Sequence, residues 1–164
     1  LHHDHDAIAT QNGIYTEGGA TMKLKYLGVI TLLSVLLAAT PAQAGNPAQV
    51  KQLLESGACP GCDLSGENLT QAHLIGADLR GANLRGAVLV EANLEGADLT
   101  GANLERANLT NAFLTNAVLD NANLNGINLS SARMYNALTV GASMQDMNIT
   151  NAQVLGSGIS IGGD

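Results

Sequence analysis

The chain has 164 residues, 46% of them hydrophobic, 13% charged and 2% aromatic, with 19 glycines and a formal charge of −7. Its length suits one domain, but an ordinary core is excluded because aromatic rings usually supply much of the buried area. Low charge with a normal apolar fraction argues against disorder, and the acidic balance argues against a basic nucleic-acid binder.

In chain order, residues 1–21 precede a plausible start at Met22 and read as a leader or tag, expected to be disordered. His2, His3, Asp4, His5 and Asp6 offer imidazole and carboxylate, which are metal-ligand types. A flank removed during processing is the simpler reading, so no metal site is assigned there. Lys23 and Lys25, an apolar run from Tyr26 to Ala39, and Ala42-Gln43-Ala44 form a secretory signal over 22–44, with cleavage expected after Ala44. The run is too short to span a bilayer comfortably, so no membrane association is expected after cleavage. From Gly45 onward, five basic residues face eleven acidic ones, a balance of −6.

Residues 45–61 are expected to form a capping helix and a linker. Asn46-Pro47 reads as an N-cap followed by proline at the first helical position. Val50, Leu53 and Leu54 share a face, and Gly57 stops the helix. Cys59-Pro60-Gly61-Cys62 follows. In an exported chain this spacing predicts a disulfide between Cys59 and Cys62 that fastens the cap. Thiol exchange is the sharper alternative for a C-x-x-C pair, although no thioredoxin-like βαβ pattern surrounds it. A zinc site would need two further ligands that the neighbouring sequence does not offer.

From Leu64 to Leu129 a leucine recurs at every fifth position, and the register continues through Met134, Thr139, Met144, Ile149, Val154 and Ile159. Two places before each leucine from Leu74 to Leu124 stands an alanine, and between them most often Asn or Asp. Such strict periodicity is the strongest signal in the sequence. On an α-helix, at about 100° per residue, successive leucines would scatter around the surface. In one continuous strand an odd period would alternate faces. The chain must therefore turn once per repeat. Gly66, Gly76, Gly81, Gly86, Gly96, Gly101, Gly126 and Gly141 hold one fixed position, where positive φ serves a type II corner; Asn111, Asn116, Asn121 and Asn136 fill the same position.

Ala77-Asp78-Leu79-Arg80-Gly81, Ala82-Asn83-Leu84-Arg85-Gly86 and Ala97-Asp98-Leu99-Thr100-Gly101 fit the pattern A(N/D)LXX, and the chain resembles the pentapeptide-repeat family, particularly its exported cyanobacterial members. The resemblance implies an all-β solenoid: a right-handed quadrilateral β-helix of about five coils, four pentapeptides to each, with a short N-terminal capping helix. The β-helix is expected over 62–155 and a flexible tail over 156–164, where Gly156, Gly158, Gly162 and Gly163 erode the repeat. Ile159 and Ile161 are candidates for a weak C-terminal cap. By the same resemblance the compartment is periplasm or thylakoid lumen.

Residues twenty apart should stack. Asn83, Asn103 and Asn123 form one column and Asn108, Asn128 and Asn148 another, expected to hydrogen-bond along the ladder. Thr70, Thr110, Ser130 and Thr150 form a hydroxyl row, which Val90 interrupts; an ice-binding role competes with an ordinary β surface. Asp78, Asp98 and nearby Asp120 make an acidic stripe. Quinolone-resistance members of the family resemble duplex DNA and bind gyrase, so a DNA-mimic inhibitor is one alternative function, weakened by Arg80, Arg85, Arg106 and export. Phe113, Val118, Tyr135, Leu138, Val140 and Leu155 fall at outward positions in the C-terminal half and form a candidate protein interface, including with a second copy. Burial beneath the tail is the competing reading. No catalytic constellation, cofactor-binding motif or metal site is expected, and no nucleic-acid partner. The expected function is a non-enzymatic exported scaffold for protein–protein interaction; a thiol-redox role for Cys59 and Cys62 is the other alternative.

Overall fold

The computed structural model describes residues 46–159. The leader over 1–21, the signal over 22–44 and the capping candidate Ile161 lie outside the described residues. Helix α1 spans Pro47–Ser56. Asn46 Oδ1 accepts the Ala48 amide, Pro47 opens the first turn, and Gly57 closes the helix at φ 70 with its amide donating to the Leu53 carbonyl. Leu53 is buried with the core and Val50 packs partly against it. Leu54 is 54% exposed, so the apolar face is narrower than the sequence suggests.

After α1 the chain turns every five residues. Each residue midway between the inward pair forms one parallel bridge to the residue twenty on, from Ala58 with Asp78 to Arg133 with Gln153. Twenty residues therefore make one circuit of four sides. Each side is held by a single bridge rather than an extended strand, because the corners leave no room for more. Two sets of bonds join successive circuits: Leu104 N–H donates to the Asn123 carbonyl at 2.8 Å, and Asn103 N–H donates to the Ala82 carbonyl at 2.9 Å. The leucines from Leu64 to Leu129 and the alanines from Ala77 to Ala122 are buried. The core is a ladder of like residues, and aromatic rings have no place in it.

The corners take the geometry expected of them. The amide after nearly every corner donates back three residues, as Ala82 to Leu79 at 3.0 Å, the corner at Asp146 being an exception, and the residue before it has positive φ. That combination is a type II turn. Gln71, Glu91, Arg106 and Ser131 adopt φ 58 as well as the asparagines. Circuit-to-circuit bonds hold them there, as where Glu91 N–H donates to the Thr110 carbonyl at 2.9 Å.

Both ends differ from the expected boundaries. The ladder already begins at Ala58, inside the segment 45–61 read as helix and linker, because Cys59 occupies a leucine position and its amide donates to the Asp78 carbonyl at 2.8 Å. At the other end, the segment 156–164 read as a flexible tail starts with a folded turn. Ser157 and Ile159 are buried, Ser157 Oγ donates to the Val154 carbonyl at 2.6 Å, and Thr139 Oγ1 donates to the Ser157 carbonyl at 2.6 Å. That last bond also satisfies the one hydroxyl that stands at a leucine position.

Candidate functional site

The interior is filled, so chemistry available to other molecules lies on the four outer sides. Two outward positions per repeat build each side, and their fate depends on neighbours one circuit away.

The amide columns behave differently from the expected ladder. Asn103 Oδ1 accepts the Glu105 amide and Asn123 Oδ1 accepts the Asn125 amide, each at 3.1 Å. These bonds close a turn within one repeat. Asn83 does reach across, donating Nδ2–H to Asp63 at 2.9 Å. The hydroxyl row is similarly engaged. Thr70, Thr110, Ser130 and Thr150 donate to Asn68, Asn108, Asn128 and Asn148 at 2.6–2.8 Å. A flat array of free hydroxyls is therefore not presented, which counts against ice binding.

The acidic stripe is partly neutralised. Arg80 grips Asp78 with two bonds, Nε to Oδ1 at 2.8 Å and Nη2 to Oδ2 at 2.7 Å, and lies 3.7 Å from Asp98. The guanidinium hydrogen bonds hold the Asp78 carboxyl down to about 2. Asp63 is also lowered, chiefly by the Ser65 hydrogen bond. Arg85 and Arg106 both approach Glu105, at 3.4 and 3.7 Å. Among the described residues no group of three or more His, Cys, Asp or Glu is arranged to hold a metal ion.

Cys59 and Cys62 lie with Cα atoms 5.4 Å apart, a separation that suits a disulfide. Cys59 is 0% exposed and Cys62 5%. Thiol exchange requires an attacking thiolate to reach a sulfur, and neither sulfur is presented for it.

The six apolar residues separate into two classes. Phe113 is half-buried, and the Arg133 guanidinium from the next circuit stands 5.0 Å from its ring centroid, an attractive cation–π arrangement. Val118 is half-buried too. The other four stay outside: Tyr135 at 37%, Leu138 at 50%, Val140 at 73% and Leu155 at 78%. Residues 156–159 turn over the end of the ladder, where Ser157 and Ile159 are buried, not over these side chains. Leu138 and Val140 stand on the side that carries Asp78 and Asp98 lower down, and Tyr135 and Leu155 on the side that carries Phe113. Tyr135 Oη donates to Gln153. Two hollows flank the Gly156–Gly158 turn, one of about 460 Å³ beside Tyr135 and Leu155 and one of about 380 Å³ beside Leu138, Val140 and Met144. Five-residue periodicity does not reveal these hollows. In the sequence the signal for them is the glycine pair Gly156 and Gly158.

Residues 62–101, 87–126 and 97–136 match the family of pentapeptide repeats. The chain is a pentapeptide-repeat protein. Solved structures similar to this pentapeptide-repeat protein include HetL, a protein involved in heterocyst differentiation regulation from the cyanobacterium Nostoc (28% identity, 58% of this chain and 50% of that one, TM-score 0.33). A thylakoid-lumen pentapeptide-repeat protein of Arabidopsis thaliana is 29% identical over 67% of this chain and 69% of its own (TM-score 0.37). Rfr23 of the cyanobacterium Cyanothece is 27% identical over 65% and 93% respectively (TM-score 0.33). The match spans half the length of HetL. No curated protein matches the sequence.

Proposed function

We propose that this pentapeptide-repeat protein is an exported, non-enzymatic scaffold that binds another protein through the C-terminal part of two neighbouring sides. The observation that carries the reading is that four of the six exposed large hydrophobic residues among those described, Tyr135, Leu138, Val140 and Leu155, gather on two neighbouring sides, whereas Leu54 and Ile75 stand apart; grouped exposed apolar area marks interaction sites. In this reading the solenoid is a right-handed quadrilateral β-helix of about five coils, α1 is its lid, and a Cys59–Cys62 disulfide ties the lid to the first circuit. Residues 22–44 carry the export signal, and the compartment is periplasm or thylakoid lumen. Rigidity suits the role: side chains at a fixed spacing of about 4.8 Å lose little freedom on binding.

The bidentate Arg80–Asp78 pair interrupts the acidic stripe, which disfavours a DNA mimic, and the buried sulfurs disfavour a redox protein. Affinity capture from periplasmic or luminal extract tests the scaffold. A specific protein should be retained by the wild type and lost with Leu138→Lys. Equal behaviour of the two baits would defeat the reading.

A further inference from the structure

Asn125 and Gly126 form the only Asn-Gly pair among the described residues. Every other asparagine there precedes Leu, Ile, Ala or Pro. A side chain on the following residue hinders attack by its amide nitrogen, proline has no N–H, and glycine presents neither obstacle. Gly126 is held to glycine by its place: φ is +67, and a Cβ would stand 3.3 Å from Arg106 Cγ. Asn125 is held by its work. In several lower repeats the amide after a leucine is taken by an Asn or Asp two places earlier, as Asn125 N–H is by Asn123 at 3.1 Å. Ser143 stands in that place before Gln145. The Gln145 N–H donates instead to Asn125 Oδ1, one circuit below, at 2.8 Å. The Gly126 N–H donates to the Gln145 carbonyl, also at 2.8 Å.

We propose that Asn125–Gly126 is a self-modification site, gated by Gln145, at which an opened chain converts to isoaspartate and no longer closes. The reaction needs only water. The Gly126 nitrogen attacks Asn125 Cγ, the new N–Cγ bond forms, and the Cγ–Nδ2 bond breaks. Nδ2 departs as ammonia with the proton from the Gly126 amide, leaving a five-membered imide. Water then opens the imide at either carbonyl. Attack at Cγ gives aspartate; attack at the main-chain carbonyl gives isoaspartate, whose backbone runs through Cβ and is one methylene longer. The fold withholds both reactants. The Gly126 N–H is engaged by Gln145, and the Asn125 amide is anchored to the same residue. The corner is type II, with Ile127 N–H donating to the Leu124 carbonyl at 3.2 Å. Such a corner sets ψ of its first central residue to about +120°, which turns the Gly126 nitrogen away from Asn125 Cγ. Ring closure requires rotation about the Asn125 Cα–C bond, and this breaks the pair of bonds to Gln145. Gly126 itself is exposed, so water reaches the imide once the ring forms. Aspartate at 125 is compatible with the rung, because Asp120 Oδ1 accepts the Val140 amide at 2.8 Å in the neighbouring repeat. Isoaspartate is not, since one extra backbone atom puts the corner out of register with the residues twenty on.

The full chain is aged in mildly alkaline buffer across a urea series, and Asn125 is followed by mass spectrometry in the tryptic segment 107–133. Amide exchange at Gly126 is measured in parallel. Conversion in the folded chain should be about a hundredfold or more slower than in unfolding urea, and should rise in step with Gly126 exchange. Gly141→Ala, which crowds Asn121 on the neighbouring rung, should speed both together; the urea series carries the test if that variant does not fold. The isoaspartate form, separated from the aged chain, should lose amide protection at Gln145, whereas Asn125→Asp keeps it. Equal rates with and without urea overturn the inference, as does a chain inert in urea or conversion that rises without Gly126 exchange. Loss of Gln145 protection in Asn125→Asp, or its retention in the isoaspartate form, overturns it too.

Discussion

Leu104→Ala probes the ladder core at its centre. Leu104 is 0% exposed, and the twenty-residue register sets it between Leu84 and Leu124. Removing three carbon groups at about 0.8 kcal/mol each costs about 2.4 kcal/mol in lost burial. The space left behind adds about 1–2 kcal/mol when the surroundings do not collapse. Collapse is opposed here because the rungs on both sides are fixed by backbone bonds, Leu84 N–H to Asn103 at 2.7 Å and Leu104 N–H to Asn123 at 2.8 Å. The expected loss is therefore about 4 kcal/mol, read from the shift in urea midpoint. Met144→Ala, at a half-buried leucine position near the C-terminal end of the ladder, should cost about 1–2 kcal/mol. Equal losses at the two sites, or less than about 1.5 kcal/mol at Leu104, would refute a core held rigid by its rungs.

Four further outcomes are expected. The Asp78 carboxyl, held down to about 2 by Arg80, contributes stability that is complete above its unfolded value near 3.8 and is lost as pH falls towards 2. Carboxyl NMR should give that low midpoint, and Arg80→Met should move it upward. Gly141 has φ +72 and a Cβ there would lie 2.6 Å from Asn121 Oδ1, so Gly141→Ala should destabilise by about 1–2 kcal/mol. Gly81 has open space around the same corner position, and Gly81→Asn should change the urea midpoint by less than about 0.5 kcal/mol. Reducing the Cys59–Cys62 pair should cost about 2 kcal/mol, the value for so short a loop; a thermal midpoint indifferent to reductant would exclude a structural disulfide.

Much of the fold could be read from spacing alone. The inward leucines and alanines and the positive-φ asparagines stand where the period placed them. Gln71, Glu91 and Arg106 share the asparagine conformation although their residue types give no hint of it; the register was the better guide than residue preference. The polar surface was harder to read. Asn103 and Asn123 look like ladder-formers, but each closes a turn in its own repeat. Phe113 looks like an interface residue, but Arg133 covers it.

The sequence by itself determined the path of the chain. A five-residue period acts through local sterics and through which side chains avoid water, and it leaves one consistent route. Only the tertiary structure decided which outward groups stay available. Each outward side chain meets partners twenty residues away: Arg133 shields Phe113, and Arg80 approaches Asp98 at 3.7 Å. Leu138 and Val140, on the side of Asp78 and Asp98, stay 50% and 73% exposed. The repeat pattern alone does not encode that.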